Sequence, residues 1–211
     1  MIFELELRHF EWDGHQQALY VPYQEQVRRS YQQNTTAPFP YWARLWPASV
    51  AMGRWVVENK SLLQNKKVLE LAAGLALPSL VAARYAGEVC CSDYLPEPLE
   101  VVARSIAHNK LSSIQCQLLN WHHLPENIDS DILLLSDVNY HPSEFDALMR
   151  VIMHFLDKGT RIVLTTPQRL AAKPFIEKLL PFCTMQKEMA IDHNGSTTVI
   201  SLLQLGEEKT V

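Results

Sequence analysis

A chain of 211 residues, 47% hydrophobic and 20% charged, is long and apolar enough to bury a full core and is not composed like a disordered segment. Its formal net charge of −4 argues against a surface built to grip nucleic acid non-specifically, and no apolar run approaches the roughly 20 residues of a membrane-spanning helix. The start, MIFELELRHFEW, carries acids and lacks a long apolar region, so it does not read as a secretory signal. Cys90, Cys91, Cys116 and Cys183 form no CxxC pair and read as free thiols of a cytoplasmic protein, with Cys90 and Cys91 on opposite sides of one strand.

Residues 1–45 read as an N-terminal extension to a single domain covering 1–211. IFELELR alternates apolar and charged residues as a half-buried strand does, and Asp13-Gly14 is a hairpin turn signal. YQEQVRRSYQQNTT predicts a short polar helix running into a loop. PFPYWARLWPAS, dense in aromatics and proline, leads to a helix with Pro47 in its first turn. Ala48, Ala51, Met52, Trp55 and Val56 follow at helical spacing.

From Lys66 the pattern becomes regular. KKVLELA, EVCCSD, SIQCQLL, DILLLSD and RIVLTT read as strands. PSLVAARYA is the helix after the first strand. The helix after the second has Pro98 in its first turn and Leu99, Val102, Ala103 and Ile106 on one face. Ser143 and Asp146 form a shortened capping pattern for a helix with an apolar stripe of Phe145, Leu148, Met149, Ile152, Phe155 and Leu156, which Gly159 ends. In RLAAKPFIEKLL, Pro174 either perturbs a helix or starts a new one. MQKEMAID and TTVISLLQL flank His193-Asn194-Gly195, a strong hairpin signal. The pattern predicts an α/β fold whose mostly parallel sheet carries an antiparallel strand near its end.

The most informative stretch is VLELAAGLALP at 68–78. An apolar strand ends in Glu70, a turn of small residues follows, and a second acid, Asp93, closes the next strand 19 residues after Gly74. Such a pairing suits a nucleoside: close backbone approach at the first strand, a carboxylate for ribose hydroxyls at the second. A dinucleotide fingerprint needs glycine at the first, third and sixth positions of its turn. Counted from Ala72, those positions hold Ala72, Gly74 and Leu77, which disfavours NAD. An S-adenosylmethionine (SAM) pocket instead uses an acid followed by small residues at alternate positions, as in Glu70, Ala72, Gly74 and Ala76. Two further strand ends carry polar and aromatic residues, Asn120-Trp121 and Ser136-Asp137-Val138-Asn139-Tyr140.

With these residues in view, the sequence resembles a class I, seven-strand SAM-dependent methyltransferase. It is most similar to the protein-lysine methyltransferases that include those acting on electron-transfer flavoprotein and on molecular chaperones. WPAS at 46–49, ELAAG at 70–74, LNW at 119–121 and DVNY at 137–140 carry the resemblance, the last matching the Asp-x-x-Tyr signature after strand four. It implies a Rossmann-like seven-stranded sheet with helices on both faces and a C-terminal antiparallel hairpin. It implies SAM as cofactor, with Trp46 packed against it and Glu70, Ala72 and Gly74 in the turn beneath its methionine portion. Asp93 and Tyr94 would lie at the ribose, Asn120 and Trp121 beside the adenine, and Ser136 along the same wall. Asp137 and Tyr140 would face the methyl acceptor as the catalytic pair. This chain departs from the pattern with Ala at 72 and 76, where extra methyls crowd the cofactor turn, and with Asn at 120.

Each of these residues also has a structural reading: Trp46 as a cover for the core edge, Trp121 as a plug, Asp93 as a helix cap, Asp137 and Tyr140 as a bonded pair. Arg44 reads equally as an anion contact or a surface ion-pair partner. His122, His123 and His141 have no partner at metal-ligand spacing, so no metal is expected. Two classes of function stand at this point. One is an N-methyltransferase acting on a protein lysine or a small amine. The other is a non-catalytic binding module that keeps the fold. No nucleic-acid or membrane partner is expected. Acceptor choice falls to residues 1–45 and the 166–174 loop, which carry no recognisable code.

Overall fold

The computed structural model describes residues 3–12, 14–33, 38–193 and 195–206. The chain opens with a two-stranded antiparallel sheet, β1 (Leu5–Trp12) and β2 (His15–Pro22), in which Trp12 faces His15 across the turn. Gly14 takes a left-handed φ of +78°, as the turn signal requires, while Asp13 lies outside the described residues. Helix α1 (Gln24–Gln33) buries only Val27, and residues 34–37, which follow, lie outside the described residues. A single 3₁₀ turn at Tyr41–Ala43 leads into α2 (Pro47–Glu58), which opens on Pro47 and buries Ala48, Ala51, Met52, Trp55 and Val56.

Strands and helices then alternate: β3 (Lys67–Leu71), α3 (Leu77–Ala82), β4 (Glu88–Asp93), α4 (Pro96–Asn109), β5 (Ile114–Leu118), β6 (Ile132–Ser136), α5 (Phe145–Asp157), β7 (Arg161–Pro167) and α6 (Lys173–Leu179). The hairpin β8 (Cys183–His193) and β9 (Ser196–Leu205) follows, its turn residue Asn194 lying outside the described residues. The strands form one seven-stranded sheet in the order β5-β4-β3-β6-β7-β9-β8. β3 to β7 pair in parallel, and β9 inserts antiparallel between β7 and β8. The expected fold is thus the observed one.

Alternation along the strands splits the core in two. Val68, Ile132, Leu134 and Val163 face α2 and α3, around Trp55, Leu80 and Val81. Leu69, Leu71, Leu133 and Leu135 face α5 and α6, around Leu148, Ile152, Phe155 and Phe175. Full burial of a side chain such as Phe155 contributes roughly 1.5–3 kcal/mol. The sheet runs outward from β3 through β4 to β5, then returns to β6 on β3's other side. The topology therefore switches between β3 and β6, and in open sheets of this kind the carboxyl ends of the strands at such a switch are where a ligand crevice forms.

Two local expectations need correction, and one open alternative is decided. The buried face of α4 is Pro98, Val101, Val102 and Ser105, while Ala103 is exposed. Polar side chains turn this face toward β2: Ser105 Oγ accepts from the Tyr20 N–H at 3.0 Å, and Asn109 Nδ2 donates to the Ala18 carbonyl at 2.8 Å. α4 thereby satisfies the open edge of the hairpin, a role that apolar periodicity does not register. Ser143 does not cap α5. Its hydroxyl pairs with His141 Nδ1 at 2.8 Å, and a 3₁₀ turn at Pro142–Glu144 leads into a helix with no side-chain cap. Pro174 starts a helix rather than bending one: a 3₁₀ turn at Leu170–Ala172 precedes α6, and Pro174 sits in its first turn.

Candidate cofactor and acceptor site

The turn after β3 is a zigzag of left-handed residues, with φ of +52° at Ala72, +52° at Gly74 and +54° at Ala76. This geometry accounts for small residues at alternate positions. A Cβ in the left-handed region costs about 1–2 kcal/mol, so glycine is the relaxed choice and this chain takes the strained one twice. The turn is pinned by the Ala73 N–H to the Ser92 carbonyl at 2.8 Å and the Ala76 N–H to the Ala73 carbonyl at 2.7 Å. The backbone of Trp42 lies across its open side, where a Cβ at Gly74 would come within 3.5 Å of Trp42 Cα. Ala76 is fully buried beneath the turn with Cys91 and Val102, so its methyl packs into the protein and not into the crevice. Ala72 keeps part of its surface open.

Glu70 does not reach the surface. It is 1% exposed, and its Oε2 accepts from the Ser79 N–H at 3.0 Å and the Ser79 hydroxyl at 2.5 Å, while Oε1 has no partner among the described residues. Burial pushes its carboxyl up to about 8, against the pull of the Ser79 bonds and with the charge of Asp93 adding. Glu70 is therefore a neutral acid at pH 7, clamping the first turn of α3.

Asp93 ends β4, buried, with Oδ2 accepting from the Gly74 N–H at 3.0 Å and Oδ1 from the Leu95 N–H at 3.2 Å. The carboxylate thus joins the turn to the approach of α4, whose N-cap is Leu95 and which has no side-chain cap, so Asp93 does not cap that helix. Burial raises its carboxyl, while the N–H groups of Leu95, Gly74 and Tyr94 lower it. A carboxylate offers about four acceptor positions, so lone pairs remain for a diol. Tyr94, beside it, is 60% exposed.

Beyond β5, Asn120 Oδ1 accepts from the His122 N–H at 2.9 Å and caps the single turn Trp121–His123. Trp121 Nε1 donates to Glu144 Oε2 at 3.0 Å, and His122 Nε2 meets the same oxygen at 2.9 Å. Glu144 therefore ties the β5 loop to the β6 loop.

At the end of β6, Ser136 Oγ is buried without a partner among the described residues. Asp137 follows with a left-handed φ of +57°, its N–H bonded to the Thr165 carbonyl at 2.8 Å. Both of its carboxylate oxygens are held by the Arg169 guanidinium, Nη2 to Oδ2 at 2.9 Å and Nη1 to Oδ1. That pair holds Arg169 firmly in its charged form. Asn139 is 1% exposed, and neither amide atom has a partner among the described residues.

Tyr140, 45% exposed, has its ring centroid 5.4 Å from that of Tyr41, which lies 6.1 Å from Trp46. Trp46 Nε1 donates to the Tyr41 carbonyl at 2.9 Å, and the Arg44 guanidinium stacks 4.7 Å from the Trp46 ring centroid. Arg44 is thus a cation–π partner, a role that neither earlier reading of it covered. Burial raises the Tyr140 hydroxyl, with the nearby Tyr94, Tyr41, Asp93 and Glu144 adding.

The structure therefore gathers Trp46, Gly74, Asp93, Tyr94 and Tyr140 near the strand ends, and Glu144 holds Trp121 to the loop that carries Tyr140. The structure also sets Glu70 beneath them and turns Asp137 toward Arg169. Sequence reasoning missed Arg169, Glu144 and Tyr41, and gave Asn139 no role of its own. Arg169 falls in the 166–174 loop singled out for substrate choice, but nothing in the sequence marks it as the partner of Asp137. The residues present fit a nucleoside cofactor: spare acceptor capacity on Asp93, a turn with backbone exposed at Gly74, and an orphaned hydroxyl at Ser136.

A family model described as lysine methyltransferase matches residues 33–181. The chain is 32% identical over 143 residues to the human protein named histone-arginine methyltransferase METTL23, covering 64% of this chain and 75% of that one. It is 30% identical over 132 residues to the zebrafish protein N-lysine methyltransferase METTL21A, covering 58% of each. The solved structure of M. capricolum TrmK in complex with S-adenosyl-homocysteine shares the fold at a TM-score of 0.55 and 10% identity, over 74% of this chain and 68% of that one.

Proposed function

The chain belongs to the lysine methyltransferase family of class I, SAM-dependent enzymes, and on that premise we propose that it methylates a side-chain nitrogen of a protein, lysine first. The observation that carries the reading is the half-exposed aromatic row Tyr140, Tyr41 and Trp46 beside the Asp93–Gly74 pair. When bound, SAM supplies an electrophilic methyl group and its own leaving group, so positioning dominates the work left to the protein.

In this reading Asp93 takes the ribose hydroxyls with its spare lone pairs, and Tyr94 covers that edge. The strained backbone of Ala72 and Gly74 lies under the methionine portion, with Trp46 against it. Asn120 and Trp121 border the adenine, Trp121 fixed by Glu144. Ser136 lines the same wall. Glu70 acts from below by fixing α3 and does not touch the cofactor.

A lysine must lose its proton before it attacks, and its free pKa is roughly 10.4. The aromatic row removes water from the amine and lowers that value. Tyr140 stays protonated, because burial raises its hydroxyl, and so serves as wall and hydrogen-bond partner. Asp137 bears on the acceptor as half of its pair with Arg169.

A second reading, an arginine acceptor, has its own support. The human relative is named for that activity, and Asp137 here accepts a guanidinium with both oxygens. Transfer of labelled methyl from SAM into a cell extract, followed by peptide mapping, separates the cases. Label on lysine supports the first reading and label on arginine the second. Label confined to small amines points to a small-molecule enzyme. No label from protein that still binds S-adenosylhomocysteine (SAH) points to a binding module and defeats the proposal.

A further inference from the structure

Cys91 on β4 and Cys116 on β5 stand directly opposite each other in the parallel register, with their sulfurs 3.5 Å apart. Both are free thiols; Cys91 is fully buried and Cys116 partly open. Neighbouring strands lie ~4.8 Å apart, inside the ~4.4–6.8 Å range of Cα separations that a disulfide spans. The sulfurs need only close from 3.5 Å to a bond of about 2.05 Å.

The pair adjoins the site without belonging to it. Cys91 shares a small buried cluster with Ala73 and Ala76, two residues of the left-handed turn, and Cys116 packs against it. Cys91 also lies two residues before Asp93, so both side chains leave the same face of β4. Cys90, on the other face, contacts Gln117, and burial pushes its thiol up to about 11. Cys116 is the more easily ionised member of the facing pair, lowered by the hydrogen bond between the two sulfurs, while Cys91 is pushed up by that same bond and by burial.

We propose that Cys91 and Cys116 form a site of reversible oxidation that loosens the cofactor turn. The Cys116 thiol gives up its proton and the thiolate attacks hydrogen peroxide; the O–O bond breaks, a sulfenic acid forms, and the departing hydroxide takes up that proton and leaves as water. Cys91 sulfur then attacks the Cys116 sulfur; the S–O bond breaks, the Cys91 proton leaves with the hydroxyl as a second water, and the disulfide remains. Two thiols are oxidised and one peroxide is reduced to two waters, and an added dithiol reverses the change. Drawing Cys91 toward β5 pulls it out of contact with Ala73 and Ala76 and shifts the Asp93 end of β4.

The full chain is treated with hydrogen peroxide, then examined by peptide mapping and by calorimetric titration with SAH. The expected result is a 91–116 disulfide in the wild type and an SAH affinity about tenfold weaker, both restored by dithiothreitol. Cys116→Ser abolishes both effects, and Cys90→Ser keeps both. The proposal is overturned by disulfides that join other cysteines, by peroxide oxidising Cys90 or Cys183 while 91 and 116 stay reduced, or by a 91–116 disulfide that leaves SAH affinity unchanged. Reduced protein that binds no SAH overturns the methyltransferase reading. The switch at a cofactor turn fails with it, and the mapped disulfide then stands only as an oxidation site.

Discussion

The Gly74 N–H donates to Asp93 Oδ2 at 3.0 Å, joining the strained turn after β3 to the end of β4. The carboxylate satisfies a backbone donor that a left-handed residue turns outward, and keeps capacity for a ligand. Asp93→Ala should leave the fold intact but release the Gly74 amide. Hydrogen exchange at Gly74 should then quicken by roughly tenfold, the equivalent of about 1.4 kcal/mol, while core amides of β6 keep their protection. Unchanged exchange at Gly74 would show that Asp93 does not hold the turn.

Glu70 contributes to the pH dependence of stability. Its folded carboxyl is raised from the ordinary value of 4.5 to about 8, so between those values the folded state keeps a proton that the unfolded state gives up. Stability therefore falls as pH rises through this window, by an amount on the order of a few kcal/mol. Glu70→Gln, isosteric with the protonated acid, should remove most of that slope and unfold at a higher temperature than wild type at pH 8. Parallel melting curves for the two proteins across the window would contradict the assignment.

The alanines at 72 and 76 separate strain from packing. Ala72→Gly relieves a left-handed Cβ worth about 1–2 kcal/mol, less about 0.5–1 kcal/mol of added unfolded-state entropy. A gain of a few tenths to about 1 kcal/mol, or up to roughly 4 °C in Tm, is expected. Ala76→Gly should show no such gain, since it also deletes a fully buried methyl worth about 0.8 kcal/mol. Thermal denaturation of both variants checks the contrast.

Asp137 and Arg169 should behave as one unit. Arg169→Met strands a carboxylate that is 8% exposed and should destabilise the protein by about 2 kcal/mol, below the full cost of breaking a buried pair because Arg169 itself is a third exposed. Adding Asp137→Asn should recover most of that loss, as urea unfolding of the single and double variants would show. Additive losses would mean that the two side chains are not coupled.

Tyr140 is cast as a wall and not as a base. Tyr140→Phe keeps the ring and should slow methyl transfer by less than about tenfold. Tyr140→Ala opens the row and should slow it by about a hundredfold, with SAH affinity unchanged in both. A hundredfold loss in the Phe variant would make the hydroxyl a proton acceptor instead.

Most of the fold was legible because the central strands β3, β6 and β7 are buried on both faces and read as apolar runs between turn signals. The turn was legible because left-handed backbone admits only small residues cheaply, a constraint written directly into Ala72, Gly74 and Ala76. Pairings between distant segments were not legible. Arg169 on Asp137, Glu144 on Trp121 and Ser105 on Tyr20 join residues 32, 23 and 85 positions apart through polar groups without periodicity. Glu70 was legible as a strand-end acid, but its burial under Ser79 depends on how α3 packs back on the sheet.

The most direct test of the central claim is calorimetric titration of the folded, reduced chain with SAH. A SAM-binding site at the strand ends predicts one-to-one binding with measurable heat, weakened at least tenfold by Asp93→Ala and unaffected by Glu70→Gln. No heat from the folded wild type, or equal affinity in Asp93→Ala, would contradict it.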